Sequence, residues 1–244
     1  MSKDLNLPNM SAGGAPGKST GLVGRIGWFF ARWVVAFLFI SVLQVVIYKF
    51  VPVPITLTML MDENPVTKDW TALDDIDRDM VAAVISSEDG KFCLHSGFDQ
   101  DAIMQAFKRN AQGGRIRGGS TISQQTAKNV FLWQNGGYLR KALEAWYTVL
   151  IETIWGKRRI MEVYLNVAET GIGTYGVEAG AQRYYGKSAR KLSPVEAARI
   201  AAVLPQPKKR EVNGAGGFTR RHGNSIARRV AVVKNEALDA CVYR

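Results

Sequence analysis

The chain has 244 residues and a mass of 26.9 kDa, enough for one sizeable domain or one domain with an appendage rather than two large cores. With 47% hydrophobic and 22% charged residues it is not a mostly disordered chain, and 32 Lys+Arg against 21 Asp+Glu give a net charge of +11, which points to an anionic partner or surface. Two cysteines, Cys93 and Cys241, exclude a disulfide-dense scaffold and a four-cysteine zinc site; two histidines, His95 and His222, exclude a three-histidine metal centre and hydrolysis of the carbonic anhydrase type.

Residues 2–24, rich in Gly, Ser, Pro and Asn, read as a mobile tail. The GKST at 17–20 does not make a phosphate loop, because Ala12 stands where its first glycine is required and no strand precedes it. Residues 28–48 then form an apolar run whose only charge is Arg32, and a bilayer core needs about 20 residues. Trp28, Trp33 and Tyr48 suit the two interfaces, while Lys3, Lys18 and Arg25 upstream leave residues 1–27 as a cytoplasmic tail and send the rest outside. A cleaved signal peptide fits less well, since the run exceeds an h-region of about 7 to 15 residues. A buried helix of this composition is the other alternative. Residues 49–69 form a connector, with Pro52 and Pro54 making 51–60 extended, and the working domain covers 70–244.

That domain is mainly helical. Ile76, Met80 and Val84 recur at i, i+4 and the ladder ends on Glu88; residues 101–112 form a second helix, stopped by Gly113-Gly114. Thr121 and Gln124 have capping-box spacing and open a third, through Lys128. The fourth, 138–155, carries Leu139, Leu143, Trp146, Leu150 and Ile154 as its core stripe and stops at Gly156. Ser193, Pro194 and Glu196 start another, closed by Pro205 and Pro207, and the last, about 219–240, is basic. Gly171, Gly173 and Gly176 satisfy a dinucleotide fingerprint, yet they follow a helix, so they read as a tight glycine loop between helices.

Three segments carry chemistry. Glu88 leaves an apolar face just before Gly90, where desolvation favours its protonated form and fits it for general acid–base work; a solvated glutamate at a helix end is the plainer alternative. His95 reads as a structural hydrogen-bonding group. Ser120, Thr121, Gln124, Gln125 and Lys128 cluster at a helix N-terminus, which suits a phosphate or diphosphate, although Ser and Thr there are also ordinary caps. Arg140 and Glu144 at i, i+4 are by default a weak surface ion pair, and Glu162, beside an apolar face, supplies a second inward-leaning carboxylate. Two carboxylates with Lys and Arg point to group transfer on a sugar with an anionic leaving group.

EDGKFCLHSGFD, GGSTISQQTAKN, RKALE, KRRIMEVYLN and GVEAGAQRYYGK occur in that order over roughly 70–210, and on these motifs the chain resembles the peptidoglycan glycosyltransferases of family 51. Ser123 replaces the usual Thr of the second motif. The resemblance implies a lysozyme-like, two-lobed helical domain behind one transmembrane helix, working at the outer face of the inner membrane. It implies polymerisation of lipid II into β-1,4-linked strands with inversion and release of undecaprenyl pyrophosphate. In that scheme Glu88 takes the proton from the acceptor 4-hydroxyl and Glu162, at the place of the second glutamate, orients or stabilises the donor. Lys128 and Arg140 neutralise the diphosphate, and Ser120, Thr121, Gln124, Gln125 and Asn129 bind donor sugar or phosphate. No cofactor is required, although some members use a divalent cation, Mg or Mn, at the pyrophosphate, which only the carboxylates here would hold, weakly. The implied partners are lipid II, the growing glycan strand, the membrane, and wall-synthesis and division proteins; nucleic acid is not among them. Two rivals compete. A lysozyme-like or lytic transglycosylase that cleaves peptidoglycan also uses a glutamate in a helical cleft, without a cationic set. A noncatalytic anchored module would hold acidic lipid or polymer through Arg220, Arg221, Arg228 and Arg229.

Overall fold

The computed structural model describes residues 22–111, 119–214 and 217–243. The expected tail, with its GKST, lies almost wholly outside them. The apolar run is one helix, α1 (Leu22–Phe50), longer than the 28–48 marked by hydropathy, and its stretch Gly24–Phe50 is long and apolar enough to cross a membrane. Two compact units divide at residue 40, so the second, Ser41–Arg244, begins inside α1. Within that unit Trp155 Nε1 donates to the Val45 carbonyl (2.6 Å) and Trp146 Nε1 to Ser41 Oγ (3.0 Å). Arg159 donates to the carbonyls of Tyr48 and Val51, groups that a helix end leaves without intrahelical partners.

The expectation that 51–60 is extended throughout is corrected: Leu57–Leu60 form a short helix, α2, with Thr56 Oγ1 accepting from Met59 N (3.3 Å). Pro52 and Pro54 restrict only their own and the preceding positions, and Thr56 restarts the helix beyond their reach. After β1 (Thr67–Lys68) and a 3-10 turn at Leu73–Asp75, Asp77 caps α3 (Arg78–Glu88). Met80 to Ile85 are all fully buried, so α3 is apolar on every side and sits at the centre of the domain, with Glu88 emerging at its end.

The second helix is α4 (Gln100–Ala111); the Gly113-Gly114 expected to stop it falls outside the described residues. The capping box opens α5 (Ile122–Phe131), three residues longer than expected, and α6 (Tyr138–Ile154) follows. Its buried face is Glu144, Tyr147, Thr148 and Ile151, whereas Leu139 is 73% exposed and Leu143, Trp146, Leu150 and Ile154 only flank the core. The stripe is thus turned by about one residue, because Tyr147 stacks on Phe131 of α5 (4.3 Å between ring centroids) and sets the helix's rotation. Gly156, at φ +77°, opens α7 (Gly156–Val167) at the sharp corner after α6.

The glycine loop of 171–176 is a hairpin, β2 (Glu169–Gly171) and β3 (Thr174–Tyr175), joined by β1 in a small sheet of order β1-β3-β2. Gly173 turns it at φ +66°. Then come α8 (Val177–Tyr185), α9 (Pro194–Val203, with Glu196 reaching back to the Ser193 N–H at 2.9 Å), α10 (Gly217–Asn235) and α11 (Ala240–Tyr243). The basic terminal helix is therefore two helices, broken at Ala237 (φ +53°). Helices α3, α9 and α10 pack on one another, and α5 packs against α6 and α7. A disulfide joins Cys93, just beyond α3, to Cys241 in α11.

Candidate active site

A cleft of about 1140 Å³ opens where the C-terminal end of α3, the body of α5, the start of α6 and the start of α10 meet, and Glu88 lies on its wall. Burial pushes the Glu88 carboxyl above its ordinary value, as the sequence predicts; the Gln125 hydrogen bond and the charge of Arg210 pull the other way, and Asp89 adds to the rise. Gln125 Nε2 donates to Glu88 Oε2 (3.0 Å), and Gln125 Oε1 accepts from the buried Tyr164 hydroxyl (3.3 Å). This two-step chain fixes which way the Gln125 amide faces. The carboxylate therefore meets an N–H donor that favours its charged form.

Cations line the same cleft. Lys128, Arg140 and Lys141 all border it with Glu88. Burial lowers the Lys128 ammonium from its ordinary value, and the neighbouring charges of Arg140 and Lys141 lower it further, against the opposing pull of Glu144. Lys128 Nζ donates to Gln134 Oε1 (2.9 Å). Arg140 is not the weak surface partner of Glu144 that its spacing implies: Glu144 is buried, its Oε2 accepts from Arg140 (2.7 Å) and its Oε1 accepts from Lys141. Helix α6 is turned so that Glu144 faces inward. Lys141 also donates to Ser120 Oγ (3.3 Å).

The helix N-terminus of α5 is not an open anion site. Asp89 Oδ2 accepts from Ile122 N (3.0 Å), Thr121 Oγ1 from Gln124 N (3.2 Å), and Gln124 Oε1 from Thr121 N (3.0 Å). A buried carboxylate, itself held by His95 at 2.9 Å, already occupies the positive end of the helix. Thr121 and Gln124 are therefore spent on capping, and His95 is structural, as expected. An incoming anion must be met by side chains.

Glu88, Ser120, Gln124, Gln125, Lys128 and Arg140 share the cleft. Asn129 borders an adjoining cavity, where its Oδ1 accepts from Gln134 Nε2 (3.2 Å). Glu162 is not brought to the cleft: on α7 its Oε2 accepts from Arg159 (2.5 Å) and its Oε1 from Leu73 N (3.2 Å). It faces the 3-10 turn because α7 points Ile160, Val163 and Tyr164 into the core. Glu162→Gln is expected to cost about 1 kcal/mol of stability and to leave turnover within about twofold. Parallel melting and steady-state assays check this, and a loss of turnover without a loss of stability would contradict it. Residues missed by the sequence reasoning are Glu144, Lys141 and Arg210; the first two stand in the RKALE segment, whose spacing of two cations before a glutamate was the available signal.

The described side chains of the cleft do not by themselves form a cage for a divalent cation. Both oxygens of Glu144 are bonded to Arg140 and Lys141, and Glu88 Oε2 accepts from Gln125, so of these two carboxylates Glu88 Oε1 alone would meet a cation, which the oxygens of a diphosphate and water would otherwise have to hold. Among the described residues no group of three or more His, Cys, Asp or Glu side chains could hold a metal ion.

The family model described as Transglycosylase matches residues 56–236. The biosynthetic peptidoglycan transglycosylase of Caulobacter vibrioides is 48% identical over 204 residues, covering 82% of this chain and 89% of that protein. Proteins of the same name from Xanthomonas oryzae pv. oryzae and Marinomonas sp. are 47% and 45% identical, over 81% and 87% of this chain and 86% and 93% of theirs. A glutamate perturbed by burial that shares one helical cleft with a set of cations, and matches of this extent, place the chain in the transglycosylase family.

Proposed function

We propose that this protein is a peptidoglycan glycosyltransferase of cell-wall synthesis that polymerises lipid II into β-1,4-linked strands, releasing undecaprenyl pyrophosphate. The observation that carries this reading is the presence of Glu88, Lys128, Arg140 and Lys141 in one cleft. Glu88 takes the proton from the 4-hydroxyl of the acceptor sugar as its oxygen attacks the anomeric carbon of the donor. The bond from that carbon to the diphosphate oxygen breaks, with inversion, and the electron pair leaves on the diphosphate. Lys128, Arg140 and Lys141 offset the charge that develops there. Gln125 orients Glu88, and Glu144 holds Arg140 and Lys141 in place.

A peptidoglycan-cleaving enzyme would need its glutamate as an acid toward a sugar leaving group and would have no use for three further cations in the same cleft. The domain's place on the outer side of the inner membrane, with α1 as a single-pass anchor and the N-terminus cytoplasmic, is supported by the positive charges before α1. The Cys93–Cys241 disulfide supports it independently, since such bonds persist in oxidising compartments. Feeding labelled lipid II to the purified full chain is expected to give polymer on a gel. Release of fragments from finished wall instead would place the protein among the hydrolytic enzymes.

A further inference from the structure

None of the arginines of α10 borders the cleft, yet four of them, Arg220, Arg221, Arg228 and Arg229, are exposed. Of the lysines and arginines on this helix only Lys234 is paired among the described residues, with Asp79 (2.7 Å). Thr219, Ile226, Val230 and Val233 form the buried face, and the helix packs on α3 and α9. At about 100° per residue Arg221 and Arg228 fall at the middle of the opposite face, seven residues or about 10 Å apart, with Arg220 and Arg229 on its two flanks. This charged stripe starts at the cleft. Phe218 and His222 line the cleft, and Arg229 lies two turns beyond His222 on the same side of the helix. Burial lowers the His222 imidazole from its ordinary value and the charges of Arg210 and Arg229 lower it further, so Arg229 carries the cleft wall outward.

The composition of this face selects among anionic partners. A helix that lies on a membrane needs an apolar side to enter it, and the apolar side of α10 is already buried. A folded protein partner needs a desolvated apolar or aromatic centre, whereas the middle of this face is Arg221, Asn224 and Arg228, all exposed. A flexible polyanion is held by charge alone and needs neither. We propose that α10 is a docking track for the product strand once it has left the cleft, its arginines taking the carboxylates of the strand's peptide arms. This rests on the glycosyltransferase reading and adds to it a surface outside the cleft. The two arginine pairs stand eight residues or about 12 Å apart, close to the length of one disaccharide, so that one peptide arm per repeat meets each pair.

The test places the full chain in phosphatidylcholine nanodiscs and titrates it with soluble, uncrosslinked peptidoglycan strands, with the same strands carrying their carboxyls as amides for comparison. Strands are expected to bind, with affinity falling about tenfold as salt rises from about 50 to about 200 mM. Replacing Arg220, Arg221, Arg228 and Arg229 together by Gln should weaken binding about tenfold, as four exposed ion pairs imply, and amidating the strands should weaken it as much. The melting temperature of this variant should stay at the wild-type value, because all four side chains stand in solvent. Bound strands should also shield these arginines from phenylglyoxal, read by mass spectrometry. The proposal is overturned if the variant binds strands as the wild type does, if amidated strands bind equally, or if phosphatidylglycerol added to the discs shields the arginines and strands do not. Lipid II polymerisation by the wild type separates the two readings: polymer without these effects removes only the track, and no polymer removes the underlying function.

Discussion

Glu88→Gln is expected to lower kcat for polymer formation by about 10²- to 10⁴-fold, the usual contribution of a positioned general base. The substitution keeps the side chain's shape, and its Oε1 still accepts from Gln125 Nε2, so the Tyr164–Gln125 chain that orients position 88 survives. What disappears is an oxygen that can take the acceptor's proton. The folded-state value of Glu88 lies above its ordinary one, so its ionisation is disfavoured in the fold. Stability from this group is therefore present below the ordinary value of 4.5 and declines as pH rises through the raised one, and the Gln protein, lacking that decline, should melt no lower than the wild type at neutral pH. Activity has the opposite sign: the base works only when ionised, so the acid limb of the kcat profile should lie above 4.5. A variant that polymerised lipid II at the wild-type rate would remove Glu88 from the reaction.

Replacing Cys93 and Cys241 by Ser should produce the largest change in stability. The bond spans 148 residues, and closing a loop of that size corresponds to about 5 kcal/mol in the chain-entropy treatment, with losses of about 2 to 5 kcal/mol being typical. For a domain of this size that is a fall in Tm of roughly 4 to 20 °C. The doubly substituted protein should still fold, because the C-terminal segment has other ties: Arg78 makes a two-pronged pair with the buried Asp239 (2.6 and 2.7 Å), and Arg158 donates to the Val242 carbonyl (3.2 Å). Scanning fluorimetry with and without reductant checks this. Reductant should lower the wild-type transition toward that of the variant and leave the variant unmoved, and equal melting of the two oxidised proteins would refute it.

What the sequence discloses about this fold is what is decided within a few residues. The boxes at Thr121–Gln124 and Ser193–Glu196 form between groups three positions apart, so their spacing suffices. Glu88 is legible because it continues the i, i+4 ladder of Ile76, Met80 and Val84 at the end of one short helix. The rotation of α6 is not legible, since it depends on Phe131 in another helix, and with it goes the choice between Glu144 and Glu162 as the inward carboxylate. Both stand at helical spacing from polar partners, and only the packing separates them. Asp89 reaches the α5 N-terminus from 33 residues away, and the disulfide joins still more distant positions, so neither leaves a local trace. Strands of two or three residues are too short to show alternation.

Glu144 has a consequence for the cycle as a whole. In the proposed reaction the departing diphosphate takes two or more negative charges with it, and bare cations at close quarters in a half-buried site would repel one another and hold the product back. A resident counter-ion bonded to both Arg140 and Lys141 leaves that pair with one net positive charge instead of two, enough to recruit the anion while weakening the hold on the departing product.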